Sequence, residues 1–311
     1  MFCSFSVERV RILFVIFIIA QRKGNEKMVR ALSNSNSPFE VIGKGRMASL
    51  FLRRGGSVSI DRDAMIGIRS PGGSPIIVAT PSQAWADLYQ KCHQSRRTDL
   101  VWMGNGLPDT NIGGEDCTWV VPHFGILEIN GPVISSTSSP PTYVYGKHAQ
   151  FLQRLFESEG LVNVNVLDTV SDLRDHAVRK LLWASCLWLV CHSKDPALTV
   201  SQVHKQEATL LRTLVEELWP VAQSLTGQGT HDTSSDVIHY MEQYSSSMPR
   251  AIPSRDLALA ELVDRNGVFY RPGGVQPCHE RLLCLQIVHD RDSNMECCEK
   301  KILQKLHYGR K

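Results

Sequence analysis

Phe39-Glu40-Val41-Ile42-Gly43-Lys44-Gly45-Arg46-Met47-Ala48-Ser49-Leu50-Phe51-Leu52 is the stretch that decides the fold class. A short apolar run, Val41-Ile42, enters Gly43-Lys44-Gly45, and a helical pattern carrying Met47, Leu50 and Phe51 follows. Gly43, Gly45 and Ala48 occupy the three small-residue positions of a G-x-G-x-x-G/A dinucleotide turn. Gly43 allows the tight turn, Gly45 lets a pyrophosphate approach the backbone, and Ala48 lets helix and strand pack closely. The start of the helix then offers free N–H groups and a partial positive charge. The same residues also suit an ordinary strand–turn–helix. The surroundings favour the first reading: Ser57-Val58-Ser59-Ile60-Asp61 reads as a second strand and Pro75-Ile76-Ile77-Val78-Ala79 as a third.

The chain has 311 residues, enough for one large or two ordinary domains. A hydrophobic content of 42% with 21% charged residues is that of a globular protein. The net charge of +3 is too mild to point to nucleic acid or an anionic membrane. Nine cysteines are scattered without a framework spacing, and Cys186 and Cys191, inside an apolar helical pattern, read as reduced core residues. Cys278, His279, Cys284, His289, Cys297 and Cys298 lack the paired spacing of a zinc site, so no metal is expected.

Residues 1–37 stand apart. Ile12 to Ala20 is an apolar run preceded by Arg9 and Arg11. A spanning helix needs about 20 such residues, so no stable membrane span is expected. The stretch reads as a targeting leader or an N-terminal extension, which leaves a cytoplasmic or an organellar location open.

From residue 38 to 168 short strands alternate with helical stretches. Gln83 to Cys92 is helical, Asp99 to Met103 is a strand ending at Gly104-Asn105-Gly106, and Trp119–Val121 with Gly125–Ile129 reads as a hairpin. Pro132 to Pro141 is a loop. Tyr143 to Gly146 precedes a helix carrying Phe151, Leu152, Leu155 and Phe156, and Val162 to Val166 alternates as a strand. Beyond Asp168 the strand signal stops. Leu173 to Cys191 is a long helix, apolar all round from Leu181, and therefore buried. Ser201 to Leu225 is helical with a kink or restart at Pro220, and Ser234 to Gln243 and Leu257 to Asn266 are further helices. Residues 169–289 thus form an all-α domain behind an α/β one of the doubly wound Rossmann class, and 290–311 is a charged, loosely attached tail.

This plan, with certain local strings, resembles the ketopantoate reductase family of the 6-phosphogluconate dehydrogenase-like superfamily, over roughly Phe39 to Ile287. Gly43-Lys44-Gly45 is similar to that family's phosphate turn, and Asn105-Gly106 to its Asn-Gly after the fourth strand. Lys180 matches its lysine at the start of the long helix, Ser246-Ser247-Met248 its Ser-Ser-Met string, and Glu261 with Asn266-Gly267 its glutamate followed by Asn-Gly. The resemblance implies NADP (NADPH) as cofactor, a 2-oxo acid as partner, a homodimer as a compatible assembly, and a place in pantothenate biosynthesis. It implies Lys180 and Glu261 as catalytic residues, with Gly43, Lys44, Gly45, Arg46, Met47, Arg62 and Asn105 on the cofactor and Ser247 and Asn105 on the substrate. A lysine ammonium suits the reaction, because the new alkoxide needs a proton and a counter-charge. Arg62 follows Asp61 at the end of the second strand, where an arginine accommodates a ribose 2′-phosphate.

Read without the resemblance, Lys180 caps the exposed start of a buried helix, Ser247 is a turn residue before Pro249, Asn105-Gly106 is a plain turn, and Glu261 pairs with Arg265 one helical turn on. The chain also departs from the family pattern. The family's two asparagines, one and two turns after the lysine, are replaced by Ala184 and Trp188; Ala79-Thr80-Pro81-Ser82 lacks the lysine that follows the third strand; the first helix is short. A reductase of ketopantoate, a reductase of another 2-oxo or 3-hydroxy acid, and a weak or inactive relative that binds a dinucleotide as a regulatory protein all remain open.

Overall fold

The structure, a computed structural model, describes residues 38–59, 66–67, 70–161, 163–227, 231–273, 275–288 and 295–308. The leader or extension expected at 1–37, and Arg62, lie outside the described residues. The first part is a seven-stranded sheet in the order β2-β1-β3-β4-β5-β6-β7. Its strands are β1 (Glu40–Ile42), β2 (Ser57–Ser59), β3 (Ile76–Val78), β4 (Leu100–Met103), β5 (Thr118–Val121), β6 (Thr142–Tyr145) and β7 (Val164–Leu167). All pairings are parallel except β5–β6. A parallel sheet of this kind is covered on both faces, which is why its strands read as continuous apolar runs. Val41, Ile77 and Val101 pack on one face beneath α1 (Arg46–Leu52) and α3 (Ala149–Ser158). Ile42, Ile76, Val78, Leu100 and Trp102 pack on the other with α2 (Trp85–Lys91) and the start of α4 (Val170–Lys194).

Polar groups tie the amino ends of the strands together. The buried Glu40 carboxylate accepts hydrogen bonds from Ser70 N (2.7 Å) and Ser70 Oγ (2.9 Å), while Arg96 Nε donates to Asp99 (2.6 Å). The opposite, carboxyl ends are left for the crevice. The chain turns from β1 to β2 on one side and to β3 on the other, so the switch point where such sheets bind ligands lies beyond β1 and β3.

Helix α4 joins the two halves. Leu173 and Ala177 belong to the sheet's core, whereas Val178 and the residues from Leu181 to Cys191 belong to the helical core. Around them stand α5 (Val200–Gln206), α6 (Ala208–Leu225), α7 (Ser234–Ser247), α8 (Arg255–Ala260), α9 (Asn266–Phe269), α10 (Pro277–Val288) and α11 (Met295–Tyr308). Each fully buried aliphatic side chain here contributes about 1.5–3 kcal/mol relative to exposure. Lys180 sits where α4 passes from one core to the other.

Several sequence expectations are corrected. The hairpin partner at Gly125–Ile129 is no strand: both edges of β5 are taken by β4 and β6, so Phe124 and Ile126 turn into the core instead. The helix expected to kink at Pro220 breaks at Glu207, between α5 and α6, and Pro220 lies inside α6. Pro220 and Glu216, four residues earlier, are both exposed, so the carbonyl freed by the proline faces solvent. The helix expected over Leu257–Asn266 is two short ones, α8 and α9. Within the segment expected to be a loosely attached tail, α11 packs on the helical core, with Ile302 and Leu306 buried in it.

Candidate functional site

One cavity of about 470 Å³ opens at the carboxyl ends of the strands, lined by both halves. Its sheet-side wall is mostly backbone. Gly43 has φ +136°, and a Cβ there would stand 2.5 Å from the Ala79 carbonyl oxygen, so the turn after β1 presses on the end of β3. A Cβ on Gly45 would meet nothing within 4 Å. Gly45 is the cap of α1 yet offers no side-chain hydrogen bond to its first turn. The next loop, Gly104-Asn105-Gly106, is laid flat on Trp85: a Cβ on Gly106 would come within 2.5 Å of the indole. That packing holds Asn105 between two glycines at the cavity.

The opposite wall is built from buried charge. Asn105 Nδ2 donates to Glu261 Oε2 (3.3 Å), across 156 residues of chain. Arg265 Nη1 stands 3.6 Å from the same oxygen. Arg265 Nη2 donates to the Ala184 carbonyl of α4 at 2.6 Å. Lys180, Glu261 and Arg265 are all buried. Burial draws the Lys180 ammonium from 10.5 down to about 7; the Glu261 carboxylate opposes this and the Arg265 guanidinium adds to it. Burial pushes the Glu261 carboxyl up, against the pull of Arg265, Asn105 and Lys180. Lys180 makes no ion pair among the described residues, so its amino group is held near two opposing charges and bound to neither. The rest of this wall is mostly apolar, with Trp183, Ala184, Leu187, Tyr244 and Met248 among its residues and Ser254 as a polar one.

Of the residues named from sequence, Gly45, Arg46, Met47, Asn105, Lys180 and Glu261 line this one cavity. Gly43 shapes the turn from behind, and Lys44 is exposed beside it. Ser247 is not brought to the cavity: it is buried and donates its hydroxyl to the Tyr244 carbonyl (2.7 Å). Ala184 lines the cavity, whereas Trp188 does not; the Trp188 indole donates to Asn266 Oδ1 (2.7 Å) inside the helical core. Sequence reasoning treated Arg265 only as a partner for Glu261 and did not single out Thr80, Trp183 or Tyr244. The i,i+4 spacing of Glu261 and Arg265 was the one available signal for the arginine. Gly267 has a packing reason of its own, since a Cβ there would meet Leu306 Cδ2 of α11 at 2.8 Å.

These residues fit a dinucleotide on structural grounds. The space beside Gly45 is open, the first turn of α1 carries no acidic residue or side-chain cap, and the buried Oγ1 of Thr80, which lines the same cavity, has no hydrogen-bond partner. Gly45, Arg46, Met47 and Thr80 are the cavity residues that would hold one. Among the described residues no group of His, Cys, Asp and Glu is arranged to hold a metal ion, and no helix is long and apolar enough to cross a membrane.

Solved structures resemble most of the chain. A ketopantoate reductase from Ralstonia eutropha aligns at 17% identity with a TM-score of 0.51, covering 88% of each chain. The fold is that of the ketopantoate reductases. A 2-dehydropantoate 2-reductase from Methylococcus capsulatus aligns at 11% identity and TM-score 0.51, over 82% of this chain and 98% of its own. D-mandelate dehydrogenase, in a ternary complex with NADH and anilino(oxo)acetate, aligns at 13% identity and TM-score 0.51, over 88% of this chain and 98% of its own. No protein-family model and no curated protein sequence matches the chain.

Proposed function

We propose that the protein is an NADPH-dependent reductase of 2-oxo acids. One observation supports this most: a single cavity runs from the glycine turn at the head of α1 to Lys180, Glu261 and Arg265 on the helical side, with Asn105 joining the two walls. The relatives of the same fold that act on 2-oxo acids add support.

A nicotinamide bound beside the glycine turn would supply the hydride for the carbonyl carbon. Lys180, as the ammonium, donates a proton to the carbonyl oxygen and offsets the charge that develops there. Glu261 keeps the lysine partly protonated inside a wall that would otherwise discharge it, and holds the amide of Asn105 toward the cavity. Ser247 has no part in it, because its hydroxyl is committed to Tyr244. The choice of NADPH over NADH rests on Arg62, and titrating both nucleotides against wild type and Arg62→Ala tests it. The reaction is tested by following NADPH absorbance with a panel of 2-oxo acids that includes ketopantoate. Turnover of any of them supports the reading. A protein that binds NADPH and reduces none is instead the regulatory relative.

A further inference from the structure

We propose that Arg265 is the residue that binds the carboxylate of the substrate, a proposal that rests on the 2-oxo acid reading above. A carboxylate entering a water-poor cavity needs a counter-charge and paired N–H donors. The charged residues lining this cavity are Arg46, Lys180, Glu261 and Arg265. Arg46 is exposed, with one guanidinium nitrogen donating to the Leu127 carbonyl (3.2 Å). Lys180 is assigned to the carbonyl oxygen. Arg265 is the cation that remains.

Its surroundings suit that task. Arg265 is 6% exposed and its Nε, wholly buried, has no hydrogen-bond partner. The guanidinium offers five N–H donors in a rigid fork that matches a carboxylate. It is anchored at one corner only, by Nη2 on the Ala184 carbonyl, with Glu261 at the looser distance of 3.6 Å. Ala184 stands where the resemblance has an asparagine, and its small side chain leaves the α4 backbone open to the arginine. The other departure, Trp188, is bonded to Asn266, the neighbour of Arg265. Both changes on α4 are thus answered by the Arg265-Asn266 pair. The side chains of Trp183, Leu187, Tyr244 and Met248 would then receive the rest of the acid.

The test compares 2-oxo acids with their methyl esters, using the full chain, and measures oxamate affinity by calorimetry on the NADPH-saturated protein. Arg265→Gln is expected to raise KM for the acid and the Kd for oxamate about 10- to 100-fold, with kcat changed much less, and to erase the preference for acid over ester. Arg265→Lys, which keeps the charge without the fork, should retain part of that preference, and it serves if the glutamine variant does not fold. An Arg265→Gln protein that binds oxamate like wild type, or keeps the acid-over-ester ratio, overturns the assignment while leaving the reductase reading in place. A wild type that neither reduces any acid nor binds oxamate overturns both.

Discussion

The two walls of the cavity are made of different material. The sheet-side wall is backbone and small residues: Gly43 against Ala79, Gly45 beside open space, and Gly104-Asn105-Gly106 pressed on Trp85. The helical wall is buried charge, Lys180, Glu261 and Arg265, set in an apolar lining. One wall is sensitive to a single added carbon, the other to a single lost or moved charge. The first suits a ligand gripped along its length by main-chain groups, the second a ligand recognised at one reacting end.

The largest effect is expected on the charged wall. Lys180→Ala should lower turnover of any reducible acid about 10²- to 10⁴-fold, the usual cost of removing a positioned general acid. NADPH affinity should stay within a few-fold, because the glycine turn is untouched. A variant as active as wild type would remove Lys180 from the mechanism and leave the two walls with one common role, nucleotide binding.

The helical wall also depends on packing far from it. Ile302 of α11 is fully buried, and Leu306 one turn on covers Gly267 beside Asn266. Ile302→Ala is therefore expected to cost about 2–5 kcal/mol in urea unfolding. A change within about 0.5 kcal/mol would be that of a surface residue and would detach the tail from the core.

What could be read from the sequence divides along the same line. The glycine turn, most of the alternation of strands and helices, and the buried run of α4 are local patterns, and they fall where the pattern places them. Asn105 and Glu261 were read singly as family positions, but their contact closes over 156 residues and no periodicity encodes it. The Gly125–Ile129 segment alternates like a strand; pairing is decided by whether an edge is free, and β5 has none. The charged composition of α11 hides two buried positions, Ile302 and Leu306, and the fit of Leu306 against Gly267 shows only in three dimensions.

The two glycines of the turn separate steric need from ligand need. Gly43→Ala should destabilise the fold by about 1–3 kcal/mol, through a positive φ and collision with Ala79. Gly45→Ala should leave thermal stability nearly unchanged, since its Cβ meets nothing, while weakening NADPH binding on the order of tenfold. Equal loss of stability in both variants would make the turn a purely structural one.

The last effect is one of pH, modest per unit, and its sign follows from Lys180. A general acid acts only when protonated, so with its ammonium drawn down to about 7 the rate of reduction should fall as pH rises beyond that value, approaching tenfold per unit. Stability should move the other way. The unfolded chain holds the Lys180 proton up to about 10.5 and the folded chain only to about 7, so between these values the unfolded state binds more protons and folding gains from rising pH. The gain from this one group is at most about 1.4 kcal/mol per pH unit. Lys180→Met should abolish that slope. Single-turnover rates and urea midpoints from pH 6 to 10, on the order of one unit apart, read both limbs on the same protein. A rate that rises with pH across this window would assign Lys180 the role of a base and reverse its part in the charged wall.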